Sequence, residues 1–189
     1  MILEFEGKRP LIDPRSFVAD NALIIGDVEI GPDANIWFFS LLRGDVNFIR
    51  IGSGCNIQDG CILHVAKDRF PTVLDENVVL GHRVTVHGCH IERGVLVGIG
   101  ATVLNGARIG EEAIVGAGSV VTAGTVIPPR VLALGIPAKP IRDLTERDLA
   151  MVRTTWSNYQ QLMHLYRNKP SAQAGAESLR QEGGKGVSA

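Results

Sequence analysis

The 189 residues include only three cysteines and no apolar run of bilayer-spanning length, and 19 Lys and Arg against 20 Asp and Glu leave a net charge of −1. Each shortage excludes a class of function. Balanced charge removes the electrostatic footprint of a nucleic-acid binder or of a protein held on an anionic membrane. Crossing a bilayer as a helix needs about 20 apolar residues in succession, so no membrane partner is expected. The opening Met1-Ile2-Leu3-Glu4-Phe5-Glu6 lacks the basic patch and apolar stretch of a secretory leader, which predicts a cytoplasmic protein. Cys55, Cys61 and Cys89 share a column of small residues, so they read as buried space-fillers in a reducing compartment rather than disulfide or metal partners.

What the chain does have is a six-residue beat. Val73, Val79, Thr85, Ile91, Val97, Val103, Ile109, Val115, Val121 and Ile127 are all β-branched and evenly spaced. No helix repeats every six residues, whereas a chain that turns a corner every six residues sends one side chain per turn into a central core. The pattern predicts a mainly β fold, a hexapeptide-repeat solenoid. Upstream the beat runs through Val18, Ile24, Ile30, Ile36 and Leu42, resumes after three extra residues at Ile51, Ile57 and Leu63, and meets four more before Val73. Four places after most core residues stands a small one, such as Ala22, Ala34, Ser40, Cys55, Cys61, Cys89 or Ala101, as tight corners require.

The repeat is expected to end near Ile127, where Ile127-Pro128-Pro129-Arg130 breaks the strand pattern and Gly135-Ile136-Pro137-Ala138-Lys139 leads outward. Thr145 and Asp148 form a capping-box signature. Leu149, Val152, Trp156, Tyr159, Met163 and Tyr166 then make one apolar stripe of a C-terminal α-helix, to be covered by the solenoid or by another subunit. The predicted organisation is a β-helix domain over 1–141 with an N-terminal lead-in, a docked helix over 142–169 and a disordered tail over 170–189.

If three six-residue faces make one coil, Arg43, His64 and His87 fall on one wall and Gln58, Asp59 and His82 on another. Successive coils lie about 4.8 Å apart. One offset is loose: His64 follows its core residue by one place and His87 by two. Three histidines on two walls do not converge within one subunit, but in a cyclic homotrimer the first wall of one copy faces the second wall of the next. His64 and His87 of one chain would then meet His82 of its neighbour, the three-imidazole set of a catalytic zinc site with an open position for water. Arg43 and Asp59 would approach as an interface ion pair.

At these residues the chain resembles the γ-class carbonic anhydrases. The resemblance rests on Leu42-Arg43-Gly44-Asp45, Asn56-Ile57-Gln58-Asp59-Gly60 followed by His64, Gly81-His82-Arg83-Val84-Thr85-Val86-His87-Gly88-Cys89, and Gly135-Ile136-Pro137-Ala138-Lys139, and extends from about Phe17 to Tyr166. It implies a left-handed parallel β-helix, a homotrimer with metal sites at subunit interfaces, and carbon dioxide hydration as the activity. His64, His82 and His87 would be the metal ligands. Gln58 would orient the nucleophile or bicarbonate with Asn56 supporting it, and Asp45 would join the Arg43–Asp59 network. Tyr159 resembles a family tyrosine that reaches toward the site, and equally belongs to the helix's apolar stripe.

Zinc brings its bound water to a pKa of about 7, the value familiar from carbonic anhydrase, so a nucleophile for carbon dioxide exists at neutral pH. Cobalt and ferrous iron suit the same ligands. The chain departs from the best-characterised active family members in its short Val65-Ala66-Lys67-Asp68-Arg69-Phe70 loop and in Val46, where those members carry carboxylates. Asp68 is either a substitute proton carrier or a solvated loop charge. Two other classes fit part of the pattern: a hexapeptide-repeat acyltransferase or thioesterase acting on coenzyme A substrates, and a catalytically silent metal-binding trimer.

Overall fold

A computed structural model describes residues 1–168, so the expected disordered tail lies outside the described residues. Short parallel strands stack along three walls, forming a parallel β-helix with a single C-terminal helix. The inward residues form three ladders. One runs Ile24, Leu42, Leu63, Val86, Val103 and Val121. The second runs Ile30, Ile51, Leu74, Ile91, Ile109 and Ile127. The third runs Val18, Ile36, Ile57, Leu80, Val97, Val115 and Ala133. Because every rung presents an aliphatic side chain to the same axis, the core is one continuous apolar column.

Two departures from the six-residue reading matter for the site. At the expected core positions Val73, Val79 and Thr85, the ladders instead use Leu74, Leu80 and Val86, the next residue in each case. Five residues, not four, are therefore inserted after Leu63, and the corner between Val86 and Ile91 is one residue short. Coil length follows: 23 residues from Leu63 to Val86, 17 from Val86 to Val103, and 18 from Val103 to Val121. The stacking also continues beyond Ile127. Pro128 and Pro129 occupy a corner, Arg130 turns it with φ +54°, and Val131–Gly135 adds another rung through Ala133 before Ala138–Asp143 folds back antiparallel.

The helix, Glu146–Arg167, begins in a complete capping box made by Thr145 and Asp148. Its stripe faces the solenoid: Leu149, Val152 and Met163 are buried, Trp156 Nε1 donates to Gly54 O at 2.7 Å, and Tyr159 and Tyr166 pack edge-on against Trp37. The covering surface is this chain's own third wall. No helix among the described residues is long and apolar enough to cross a membrane.

Candidate metal centre

The ladder pairing Leu63 with Val86 also pairs His64 with His87, which removes the loose offset between them. The two rings meet edge to face, with His64 Nδ1 3.0 Å from His87 Nε2. Thr72, fully buried on the returning strand, locks their backbones: its hydroxyl donates to His64 O and accepts from Gly88 N at 2.9 Å. The inserted residues form a tight turn in which Ala66 pairs with Phe70 and Asp68 sits exposed with φ +56°.

Arg43 and Asp45 lie on the neighbouring rung, the long strand Leu41–Ile51. Asp45 accepts from Arg43 Nη1 and lies 3.0 Å from His64 Nε2. Burial alone would raise this carboxyl, but the hydrogen bonds from His64 and Arg43 and the guanidinium charge outweigh it and hold Asp45 below the usual carboxylate range. An ionised carboxylate only accepts, so the His64 proton sits on Nε2. Burial then pulls the His64 imidazole below its ordinary value, against the Asp45 bond and with the Arg43 charge adding to the effect. In the neutral ring thus favoured, Nδ1 carries a lone pair aimed at His87 Nε2. Two imidazole nitrogens so placed share a cation or a proton between them, which is the fit a metal requires of this pair.

His82 stands apart, at a corner between walls. Its Nδ1 is 2.9 Å from Asp59 Oδ2, and its Nε2 is 3.3 Å from the Tyr159 hydroxyl. Burial, with the Asp59 charge adding, pushes the Tyr159 phenol above its usual value, so it stays protonated. On the third wall, next to Ile57, Gln58 is buried, and its Nε2 donates to Asn56 Oδ1 at 3.0 Å. Asn56 in turn donates to Asn35 Oδ1, which also receives Trp37 Nε1 at 2.8 Å. A buried amide chain thus links Gln58 to the ring that Tyr159 packs on.

One chain therefore assembles two groups, His64–His87 with Arg43 and Asp45, and His82 with Asp59 and Tyr159. It does not bring them together. Among the described residues no three His, Cys, Asp or Glu side chains converge to hold a metal. Arg43 engages Asp45 rather than Asp59. A groove of about 860 Å³ lies elsewhere, between Leu11, Ile30, Arg50, Leu74 and Arg93. His90 is occupied by Asp75 at 2.9 Å. Sequence reasoning missed Thr72, Asn35, Trp37 and also Asn105, whose Oδ1 meets His87 Nδ1. Asn105 was legible only through coil register: Gly106 N donates to Gly88 O, which places it directly over the His87 corner.

The bacterial transferase hexapeptide (six repeats) model matches residues 88–123, the most regular coils. Gamma carbonic anhydrase 1, mitochondrial, of Arabidopsis thaliana is 41% identical over 160 residues, covering 82% of this chain; the chain spans only 58% of that relative's length. The probable carbonic anhydrase of Methanocaldococcus jannaschii is 47% identical over 145 residues, covering 77% of this chain and 91% of the relative. The chain belongs to the γ-class carbonic anhydrase family. Among solved structures, a hexapeptide transferase family protein from Anaplasma phagocytophilum superposes on this γ-class chain with a TM-score of 0.83 at 36% identity, covering 87% of this chain and 97% of the other. The solenoid is thus shared beyond proteins named as anhydrases, and the side chains on its walls must carry any assignment of activity.

Proposed function

We propose that this protein is a metal-dependent carbonic anhydrase that works as a homotrimer and hydrates carbon dioxide reversibly to bicarbonate. The observation that carries the reading is the His64–His87 pair, with ring nitrogens 3.0 Å apart and Asp45 behind it. His82 of an adjacent copy would complete the ligand set, since Asp59 takes its Nδ1 proton and leaves the lone pair on Nε2, which the Tyr159 hydroxyl meets at 3.3 Å in the single chain and a metal would take in the trimer. Arg43 and Asp59 would face each other across that contact. Zinc, or cobalt or ferrous iron in the same ligand set, would supply a Lewis acid that makes water nucleophilic at neutral pH.

The chain's own residues then do the rest. Gln58, braced by Asn56, orients the nucleophile and receives bicarbonate, because its buried amide is held in one direction by the Asn56–Asn35–Trp37 chain. Tyr159 places a neutral hydroxyl beside His82 Nε2 and so beside the proposed metal position. Turnover requires a proton to leave, and Asp68, exposed on the turn after His64, is the carboxylate of that loop. The three free, buried cysteines, with thiols pushed up to about 12 by burial, suit a reducing cytoplasm.

The test is stopped-flow carbon dioxide hydration on anaerobically purified protein, with bound metal quantified in the same sample. Chelator-sensitive turnover with about one metal per chain supports the proposal. Bound metal without turnover would reduce the protein to a metal-binding scaffold, and metal-free protein that hydrates carbon dioxide would overturn the ligand assignment.

A further inference from the structure

A neutral imidazole holds one proton on one of two nitrogens, and a nitrogen that binds a metal must be the bare one. Asp45 decides the question for His64 and Asp59 for His82, since a carboxylate accepts and never donates. Among the described residues no carboxylate pairs with His87. Its Nδ1 meets the amide oxygen of Asn105, from the next coil.

The approach is built into the corner. Gly106 N donates to Gly88 O at 2.7 Å and Gly124 N donates to Asn105 O at 2.8 Å, so the Asn105 backbone is held from both sides. Gly88 has φ +58°, and a Cβ there would come within 2.8 Å of Asn105 Oδ1 and 2.7 Å of Phe70 Cβ. Gly88 therefore clears the space through which the Asn105 amide reaches back to His87.

We propose that Asn105 is the positioning residue that keeps the His87 proton on Nδ1 and so leaves Nε2 bare for the metal; this rests on reading His87 as a ligand. In water a histidine side chain prefers the opposite tautomer, with the proton on Nε2. His64 Nδ1, left bare by the Asp45 contact at Nε2, lies 3.0 Å from His87 Nε2 and draws the His87 proton the same way; the Asn105 oxygen, 2.5 Å from Nδ1, is the closer acceptor and holds the proton there against that pull, so in the empty site two bare nitrogens face the place a cation fills. Asn is neutral, so it sets the tautomer without adding a third negative charge to a centre that already holds Asp45 and Asp59.

The experiment uses the full chain and two variants. Asn105→Leu removes the acceptor; Asn105→Asp keeps only acceptors. Imidazole nitrogen-15 NMR on chelator-treated protein above pH 8, with a His87→Gln sample to assign the signals, reads the tautomer directly. The wild type and Asn105→Asp are expected to show His87 protonated at Nδ1, and Asn105→Leu to shift toward Nε2. Zinc affinity from competition with a chromophoric chelator is expected to fall about 10–100-fold in Asn105→Leu, the range for lost outer partners of metal-bound histidines. Asn105→Asp should bind at least as tightly as the wild type. An unchanged His87 tautomer in Asn105→Leu overturns the proposal, as does an Asn105→Asp variant that weakens zinc as much as Asn105→Leu. Should Asn105→Leu fail to fold, Asn105→Ala replaces it with the same expectations. The predicted tautomer pattern in a protein that binds no zinc would instead defeat the metal reading and leave the tautomer assignment intact.

Discussion

His64 and His87 stand 23 residues apart in the chain, yet their ring nitrogens come within 3.0 Å because they occupy the same rung position on consecutive coils. The turn after His64 absorbs the extra residues, and the buried Thr72 hydroxyl ties both ends of that detour together. A pair positioned by backbone stacking on both sides is held more rigidly than one carried on loops, as a site that must converge on a single cation requires.

If the metal is shared between copies, two defective variants should repair each other. His82→Ala and the double variant His64→Ala/His87→Ala are each expected to bind no metal. Co-expressed and purified as mixed trimers, they should regain metal and hydration activity, since an intact His64–His87 pair meets an intact His82 across one interface. Mixed trimers that stay metal-free would place all ligands in one chain or outside this set.

Gln58→Ala should separate turnover from metal binding. Its amide does not touch the histidines, so metal content is expected to stay at the wild-type level while the hydration rate falls roughly 10-fold or more, the scale of losing one oriented polar group. Metal analysis and stopped flow on the same preparation check this, and an unchanged rate would remove Gln58 from the reaction.

Gly88→Ala is expected to cost about 2–3 kcal/mol, from left-handed backbone strain plus the push against Phe70 and Asn105. Chemical denaturation followed by circular dichroism measures the loss. A substitution without effect would mean that the corner is looser than its contacts indicate.

Acid should weaken the helix start in a defined window. Hydrogen bonds from Arg142, then from Thr145, hold the Asp148 carboxyl well below its ordinary value of 3.8. The unfolded chain therefore takes up this proton first as pH falls, so the stabilisation is complete above about 3.8 and fades below it. Asp148→Asn should melt lower than the wild type at pH 6, and the gap should narrow between pH 4 and pH 2. A gap independent of pH would show that charge is not what the cap uses.

Much of this was readable because it is local or strictly periodic. From Ile91 to Ile127 spacing alone gives every rung of the three inward ladders, though not the buried corner residue Val95, and the Thr145–Asp148 cap needs nothing beyond four consecutive residues. The core at Leu74, Leu80 and Val86 was not readable. Each follows another β-former, Val73, Val79 or Thr85; hydropathy cannot choose within Val73-Leu74 or Val79-Leu80, and at Thr85-Val86 the six-residue spacing to Ile91 points to the wrong neighbour.

The six-residue recurrence by itself determined a stacked β-helix, since only a chain that turns at that interval keeps one aliphatic side chain per turn on the axis. The types of residue on its walls, three histidines among paired acids and amides, were likewise present in the sequence. Tertiary structure decided which of them meet. Hydrogen bonding between coils selected the register after the insertion, and that one-residue choice put His64 beside His87, set Asn105 behind it and left His82 at a separate corner. Register is an agreement between strands distant in sequence, so no spacing within one strand could have settled it.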